Sequence, residues 1–418
     1  MMGEQPESVE RPGDRRYRYL PALTWSLLAL LVIYFLVWFI FCRPSTEERL
    51  EVASFAEALH EIPREYVEPV DHAALYQAAM KGMIAGLKDK YTWYLSQRQL
   101  ARLREETKGE FGGIGVVLSA TDTLPVVEEV IKDGPAAKAG IEAGDVLTTL
   151  DGEDVKGLPL EKLSSVIRGK PGTTLTLEAT RGSKAEKLTF TVIREIIRVP
   201  DVKSEMLADG IGLVRVMAFD ENAADDMRSA LAELVKTGLK GLIIDVRGNP
   251  GGLVKQATEI CDMFLNSGRI ISLKGRDARP EPPVDATRGV VVPDTVPIVV
   301  LVDHGTASAS EILSGALQAN GRATVVGTGT VGKGAVTGIL ALPDGSGVVM
   351  TVAHYELAGG EVIQEKGIKP DVAVGELPSP PKGLEPAKAQ EWYREQREKA
   401  RKEQLDRAVA ILKEKLAK

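Results

Sequence analysis

The segment PIVVLVDHGTASASEILSGALQAN, residues 297–320, combines a strand pattern and a helix pattern in one short stretch. Its first six residues form an apolar run rich in valine, which is typical of a buried strand. After Gly305 the apolar residues recur three and four positions apart, which predicts a helix that begins near Ser308. A strand that leads directly into a helix is the repeating unit of an α/β fold.

The same alternation extends on both sides of this segment. Strand-like GLIIDV at residues 241–246 precedes helix-like GLVKQATEICDMFL at residues 252–265, and strand-like ATVVGTG follows at residues 323–329. The alternation predicts an α/β domain over residues 199–376. Beyond it, residues 377–418 read as a proline-rich linker and a charged helix, whose AVAILKEKL face permits self-association into a homo-oligomer.

Two regions with different sequence patterns precede the α/β domain. Residues 45–107 carry helical periodicity, with a break at Pro63 and Pro69. Residues 108–198 contain short β-branched runs between glycine turns, with LEKLSSVIRG as their one helical segment. The chain is therefore expected to be a multidomain α/β (α+β) protein.

Composition and charge exclude several classes of function. The chain has 418 residues, of which 44% are hydrophobic and 27% charged, a balance typical of a folded protein. Its formal net charge of −7 and the lack of a basic stripe argue against binding to nucleic acid. Cys42, Cys261 and the four histidines show no metal-ligand spacing, so we expect neither a metal nor a cofactor.

An uncharged run of 23 residues spans residues 20–42. A helix of this length crosses the roughly 30 Å hydrocarbon layer, whereas a cleaved signal peptide has a shorter apolar region and a small-residue cleavage site. Arg15, Arg16 and Arg18 precede the run and Arg43 follows it. The sequence thus predicts a single-pass anchor with residues 1–19 in the cytoplasm and everything after Arg43 outside, in a bacterial periplasm or at the cell surface.

Ser308 has two interpretations. A serine at the start of a helix is well placed for nucleophilic attack, because free N–H groups and the helix dipole stabilise an oxyanion. The pair Ser308 and Glu311 also has the spacing of a capping box, a purely structural role. This segment alone does not decide between them.

Lys333 lies between two glycines after the next predicted strand. If it is desolvated, the pKa of its amine falls and the neutral amine can accept a proton from serine. An exposed hairpin lysine is the alternative. The surrounding GTGTVGKG also resembles dinucleotide-binding and phosphate-binding loops, but the strand-like residues that follow lack the helix that such loops require.

The run Phe111-Gly-Gly-Ile-Gly-Val opens the β-rich region. Consecutive glycines let several N–H groups converge on an anion, and a neighbouring strand edge can accept a peptide as an extra strand. With GPAAKAGIEAGDVLTTLDGEDV, residues 134–155, the region resembles a PDZ domain. The resemblance implies a carboxylate-binding loop at Gly112, Gly113, Ile114 and Gly115, with Arg168 as a reporter of occupancy, and partners with exposed apolar carboxyl termini.

Several ordered motifs together resemble the carboxy-terminal processing peptidases, also called tail-specific proteases. They are GTASASEILSGALQANGRATVVG, GTVGKGAVT, LIIDVRGNPGGLV, KGMIAGLKDKYTWYLS and EKGIKPDVAV. The lysine follows the serine of the S-A-S-E run by 25 residues, as in that family. The resemblance implies a crotonase/Clp-protease-like α/β core with an inserted PDZ domain, and a serine endopeptidase that processes extracytoplasmic proteins from their carboxyl ends.

The resemblance also implies roles for individual residues. Ser308 would be the nucleophile and Lys333 the general base. The N–H of Ala309, with that of Gly251 or Gly252, would form the oxyanion hole. Asp245 and Arg247 would hold the glycine turn, and Glu311 would serve in capping and orientation.

Two departures from the family pattern leave alternatives open. Thr337 stands where the family carries a glutamine that orients the lysine, and residues 88–91 replace a family Asp-Pro-His motif without affecting the expected catalytic pair. A membrane-tethered, catalytically weak PDZ adaptor is therefore the second hypothesis. A third makes His304 the base, because it lies four residues before Ser308.

Overall fold

The computed structural model describes residues 45–120, 124–182, 185–276, 282–381, 383 and 385–417. The chain divides into two compact units, residues 1–83 and residues 84–418. The predicted tail and anchor, residues 1–19 and 20–42, lie outside the described residues. Within the described ranges, no helix is both long enough and apolar enough to cross a membrane.

The helices predicted for residues 45–107 are present. They are α1 Thr46–Glu65, α2 His72–Ala85 and α3 Gln97–Lys108. A capping box starts α1, because the Glu48 N–H donates to Ser45 Oγ at 3.1 Å while the Ser45 N–H donates to the Glu48 carboxylate at 2.7 Å. Between α2 and α3 lies a short strand, β1 Trp93–Leu95.

The β-rich region forms an antiparallel sheet in the order β3-β4-β5-β7-β8, with β6 paired to β5. Its elements are β3 Val116–Ala120, β4 Pro125–Val130, α4 Pro135–Lys138, β5 Val146–Leu150, β6 Glu153–Asp154, α5 Leu160–Ile167, β7 Thr174–Arg181 and β8 Glu186–Ile193. In β7, Leu175, Leu177 and Ala179 are buried and alternate with exposed residues, as expected for a strand with one face in a core. Two paired strands, β2 Glu110–Gly113 and β9 Glu195–Arg198, flank this sheet in sequence.

A second sheet has the order β10-β11-β12-β15-β16-β19, and only its β10–β11 pairing is antiparallel. Its strands are β10 Val202–Met206, β11 Ile211–Val216, β12 Gly241–Asp245, β15 Ile298–Val302, β16 Ala323–Gly327 and β19 Val372–Ala373. The intervening helices are α6 Ala223–Lys236, α7 Val254–Asp262 and α8 Ala309–Ala319. This is the α/β pattern predicted from residues 297–320.

Both faces of this sheet are covered, which explains the continuous apolar runs of β12 and β15. Val214, Ile244 and Val300 pack with the helices α6, α7 and α8 in the main core. The alternate residues pack against α9 Pro386–Leu416, through Ala408, Ile411 and Leu412. The apolar face of the last helix, which the sequence analysis considered for self-association, is therefore occupied by the chain's own sheet.

A third sheet completes the second unit. It has the order β1-β18-β13-β14, with β17 paired to β18, and contains β13 Arg269–Gly275, β14 Val284–Asp285, β17 Ala335–Ala341 and β18 Gly347–Leu357. The hairpin of β17 and β18 follows Lys333 directly, where the sequence predicts strands and a turn and not the helix of a phosphate site. This hairpin and α8 bring the predicted catalytic residues together.

Candidate active site

Ser308 is the residue immediately before α8, at the point where the chain leaves β15. It is buried and has φ 55° and ψ −117°, a left-handed backbone conformation that a residue with a side chain adopts at a cost of about 1–3 kcal/mol. Such strain persists only where neighbouring groups hold the residue in place. The contacts of Ser308 identify those groups.

Glu311 is the first of them, and it is fully buried. Its carboxylate accepts the N–H of Ser308 at 2.8 Å and the N–H of Lys333 at 2.9 Å. It also accepts the N–H of Gly332 at 2.7 Å and the hydroxyl of Thr330. The capping expected of Glu311 is present, but the same carboxylate also connects the backbones of the serine and the lysine.

Lys333 lies in the loop between β16 and β17 and is half-buried. Burial lowers the pKa of its amine, and the negative charge of Glu311 acts in the opposite direction without cancelling this effect. Among the hydrogen bonds of the described residues, none joins Lys333 Nζ to Ser308 Oγ. The loop thus supplies a lysine whose environment favours the neutral amine.

Tyr355 on β18 is a further contact that the sequence analysis did not anticipate. It is fully buried, and its hydroxyl lies 3.1 Å from the carbonyl oxygen of Ser308 and 3.0 Å from that of Lys333. Together with Glu311 it contacts both the N–H and the C=O of each of the two residues.

Tyr91 is a second residue that the sequence analysis missed. Its ring centroid lies 5.5 Å from Lys333 Nζ. Asp89 holds the turn by accepting the Tyr91 N–H at 3.0 Å and the hydroxyls of Thr92 at 2.6 Å and Thr351 at 2.7 Å. The expectation that residues 88–91 do not affect the catalytic pair is therefore wrong, because this segment places an aromatic ring against the lysine. The sequence signal that could have indicated this contact was the position of residues 88–91 directly before the strand-like residues of β1.

The same hydrogen bonds determine the ionisation of Asp89. Burial by itself raises the pKa of this carboxyl, but the hydrogen bonds from Thr92, Thr351 and the Tyr91 N–H outweigh burial and hold the pKa below its usual value. Asp89 therefore stays ionised and continues to accept from β18.

The glycine turn that follows β12 lies against the serine. A Cβ on Gly251 would stand 2.7 Å from Ser308 Cβ and 2.8 Å from the Ala309 nitrogen, so this close approach requires glycine. The Gly251 N–H donates to Asn249 Oδ1 at 2.8 Å. Within the described residues, the N–H groups of Ala309 and Gly252 have no acceptor, which leaves them available to a ligand.

Asp245 and Arg247 support this turn from the other side. The Arg247 guanidinium donates to both oxygens of Asp245 at 2.8 Å, and to the Arg401 carbonyl oxygen at 2.7 Å and Gln404 Oε1 at 3.0 Å. Burial alone would raise the pKa of Asp245, but its bonds and charge interaction with Arg247 hold it below the ordinary value. The last helix, α9, thus anchors the strand end from which the turn begins.

Two other predicted candidates are less closely involved. His304 is 61% exposed, and its ring contacts Glu376 at 3.2 Å. Thr337 lies on β17 opposite Thr351, at a register shift, and it makes no hydrogen bond to Lys333 in the described part of the chain. The structure brings Ser308, Lys333, Ala309 and the glycine turn together, and leaves these two outside that group of contacts.

A small groove lies between β3 and α5 in the β-rich region, with a volume of about 170 Å³. This β3–α5 groove is lined by Phe111, Ile114, Gly115, Val116, Leu118, Leu160, Ser164, Ile167 and Arg168. The Arg168 guanidinium lies over the Phe111 ring, 4.1 Å from its centroid. Of the predicted peptide-binding residues, Ile114, Gly115 and Arg168 line this groove.

The other two predicted residues differ. Gly112 lines a neighbouring cavity of about 730 Å³ between α3 and α5, and a Cβ on it would stand 2.0 Å from the Gly169 carbonyl oxygen. Gly113 pairs with Glu195 in the β2–β9 ribbon and does not line the groove.

Three segments of the chain match described protein families. Residues 210–374 match Peptidase family S41, residues 112–192 match the PDZ domain, and residues 43–99 match the activating protease CtpB N-terminal domain. The S41 match contains Ser308, Lys333, Glu311 and Tyr355, and the PDZ match contains every residue that lines the β3–α5 groove except Phe111.

Known proteases are similar to the chain over more than three quarters of its length. The chain is 38% identical to a carboxy-terminal-processing protease of Bartonella bacilliformis over 79% of its own length and 76% of the relative. It is 37% identical to the carboxy-terminal processing protease CtpA of Bacillus subtilis over 77% of its length and 68% of the relative. The solved photosystem II D1 C-terminal processing protease is 30% identical, covers 81% of this chain and 96% of its own, and gives a TM-score of 0.46. The chain belongs to the carboxy-terminal processing proteases, the PDZ-containing serine peptidases of family S41.

Proposed function

We propose that this chain is a serine endopeptidase that processes or degrades extracytoplasmic proteins from their carboxyl ends, with Ser308 as nucleophile and Lys333 as general base. The observation that carries the assignment is the carboxylate of Glu311, which accepts the N–H groups of both residues in a buried site. A buried carboxylate that joins two chain segments 22 residues apart fixes a nucleophile beside a base.

The reaction follows from the groups present. Ser308 Oγ attacks the scissile carbonyl carbon while Lys333 Nζ takes the hydroxyl proton, and the lysine then passes this proton to the leaving amine. The free N–H groups of Ala309 and Gly252 stabilise the oxyanion, which favours Gly252 over Gly251 as the second donor. Lys333 Nζ moves into hydrogen-bonding reach of the serine when substrate binds, since such contacts often tighten only in the complex.

The pKa of Lys333 determines the pH profile of this scheme. Only the neutral amine accepts a proton, so activity falls as the pH drops through the pKa of Lys333. Burial lowers that pKa from the ordinary lysine value of 10.5, so the acid limb of the profile lies below that value. Thr337 contributes at most through the orientation of the hairpin that follows the lysine.

The PDZ domain supplies substrate recognition in this proposal. An apolar carboxyl terminus adds as a strand beside β3, with its carboxylate at the N–H groups of residues 112–115 and its last side chain in the β3–α5 groove. Arg168 reports occupancy, because its guanidinium already stacks on Phe111 at the edge of that groove.

The placement of the enzyme is part of the same proposal. Residues 20–42 anchor the chain in a membrane, with residues 1–19 in the cytoplasm and the catalytic part outside, in a bacterial periplasm or at the cell surface. The α/β domain is of the crotonase/Clp-protease-like type. The uncharged run and the arginines before it support this orientation.

The deciding experiment compares the full chain in detergent with its Ser308→Ala, Lys333→Ala and His304→Ala variants on an unfolded protein with an apolar carboxyl terminus. We expect Ser308→Ala and Lys333→Ala to lose at least a thousandfold in kcat, and His304→Ala to keep the original rate. An active Lys333→Ala variant would rule out the serine–lysine scheme. Equal and negligible cleavage by all four proteins, with retained peptide binding, would favour the tethered adaptor instead.

A further inference from the structure

The hydroxyl of Tyr355 lies between the backbone carbonyls of Ser308 and Lys333. Its distances to these oxygens are 3.1 Å and 3.0 Å, and Tyr355 and Ser308 are 47 positions apart in the chain. A phenol has a single proton to donate. The partners of the two carbonyl oxygens indicate where that proton is needed.

The two oxygens differ in their other donors. The Ser308 oxygen already accepts the N–H of Glu311 at 2.8 Å and the N–H of Ile312 at 2.9 Å. For the Lys333 oxygen, the described residues provide the Tyr355 hydroxyl as the one donor. The Tyr355 hydroxyl therefore donates to the Lys333 carbonyl oxygen and fixes that peptide group, while it remains in contact with the Ser308 carbonyl oxygen.

Tyr355 itself is held rigidly. Its backbone N–H donates to the Gly334 carbonyl oxygen at 3.0 Å, so the residue contacts two successive carbonyls of the lysine loop. Its ring is part of the main hydrophobic core. Burial, followed by the negative charge of Glu311, raises the pKa of Tyr355 far above its usual value, so the hydroxyl remains a donor at every working pH.

We propose that Tyr355 is a positioning residue for the peptidase reaction, whose hydroxyl sets the separation between the backbones of Ser308 and Lys333. The inference rests on the proposed function, since it assigns these two residues to catalysis. Glu311 fixes the two N–H groups. The Tyr355 hydroxyl donates to the Lys333 carbonyl oxygen and lies 3.1 Å from that of Ser308, so the loop that carries the lysine also contacts the start of α8 through this ring.

The first test is Tyr355→Phe in the full chain. A misplacement of about 1 Å costs on the order of a hundredfold in rate, so we expect kcat to fall by about tenfold to a hundredfold. KM should stay unchanged, because Tyr355 does not line the groove that recognises the substrate. The rate at which a fluorophosphonate labels Ser308 should fall by a similar factor. This reagent reacts with the activated serine and does not depend on recognition by the PDZ domain.

A matched pair of substitutions separates the loss of the hydrogen bond from a general effect on folding. Para-aminophenylalanine at position 355 keeps the size of the side chain and restores a donor, whereas para-fluorophenylalanine keeps the size without one. We expect the amino variant to recover most of the lost kcat and the fluoro variant to remain as slow as Tyr355→Phe. Tyr393→Phe on α9 removes a hydroxyl far along the chain and should leave kcat and labelling unchanged.

The outcomes separate the two proposals. If Ser308→Ala and Lys333→Ala are inactive but Tyr355→Phe and the fluoro variant cleave and label at the original rate, the positioning role is wrong and the serine–lysine scheme stands. If Ser308→Ala still cleaves or is still labelled, the proposed function itself fails. A loss of kcat in the phenylalanine and fluoro variants that the amino variant reverses supports the positioning role.

Discussion

The serine–lysine site and the β3–α5 groove are built in different ways. In the serine–lysine site, the buried Glu311 carboxylate accepts the N–H groups of the two proposed reacting residues, and the buried Tyr355 hydroxyl donates to the carbonyl oxygen of Lys333. In the groove, the predicted contacts with a peptide come from backbone N–H groups and from apolar side chains that line about 170 Å³. Chemistry requires reacting atoms at fixed positions, whereas a recognition groove that accepts many carboxyl termini requires only a strand edge and an apolar surface.

The largest effect is expected from Glu311→Gln, which changes one oxygen to an amide nitrogen. Each carboxylate oxygen accepts two donors, so the amide nitrogen of glutamine meets at least one N–H group that it cannot accept. The less costly orientation places this nitrogen beside the Gly332 N–H and the Thr330 hydroxyl, which can turn to accept. An unsatisfied buried group costs about 1–3 kcal/mol, so the free energy of unfolding should fall by about that amount. We expect kcat to fall by at least a hundredfold, and urea denaturation with steady-state kinetics would measure both effects.

The charge of Glu311 gives this variant a second readout. Glu311 raises the pKa of Lys333, so its loss should lower that pKa and move the acid limb of any residual activity to lower pH. Glu376→Gln, an exposed carboxyl that contacts His304, is a suitable control. Unchanged stability and kcat in Glu311→Gln would show that the serine–lysine site does not depend on this carboxylate.

A smaller effect is expected in the recognition region from Gly112→Ala. The added methyl group would stand 2.0 Å from the Gly169 carbonyl oxygen, so the backbone that carries the carboxylate loop must shift. We expect the affinity for a fluorescent peptide with an apolar free carboxyl terminus to fall by about tenfold, or roughly 1.4 kcal/mol. Fluorophosphonate labelling of Ser308 should be unchanged.

The amidated form of the same peptide provides the control for this experiment. It lacks the carboxylate, so it should bind weakly to both proteins and show little difference between them. If Gly112→Ala binds the free-acid peptide as tightly as the original chain, the carboxylate loop does not lie where the sequence predicts.

The two regions also differ in how far the sequence predicted them. The β-rich region was predictable because its strands, glycine turns and one helix follow each other locally. Two of its four predicted loop residues, Ile114 and Gly115, meet the helix end at Arg168 in one groove. The position of Ser308 before α8 was equally local, since a buried strand leads directly into a capped helix.

The fixing of Lys333 was not predictable in the same way. A lysine between glycines has no local feature that separates a buried base from an exposed hairpin residue. Its environment comes from Tyr91 and Tyr355, which reach it through the pairing of β18 with β1 and with β17. Such contacts depend on strand pairing between distant segments, which periodicity does not determine.

The smallest effect on activity is expected from Asp201, which lies between β9 and β10 where the β-rich region joins the α/β domain in sequence, and which contacts Asp220. Both carboxyls are buried, and the side chains are hydrogen-bonded to each other. Burial, with the hydrogen bond and negative charge of Asp220 and a smaller contribution from Asp226, raises the pKa of Asp201 from 3.8 to about 8. The Arg198 guanidinium is paired with Asp226, so it does not neutralise the negative charge of Asp201 or Asp220.

The sign of the pH dependence follows from this difference in pKa. Between about pH 4 and pH 8 the folded chain retains a proton that the unfolded chain has lost, so its stability falls as the pH rises through this window. Asp201→Asn keeps a donor toward Asp220 and removes the titration, so the slope of unfolding free energy against pH should flatten over that window. Asp225→Asn, which alters an exposed carboxyl on α6, should keep the original slope. An unaltered slope in Asp201→Asn would mean that the Asp201 carboxyl is not the source of the pH dependence of stability.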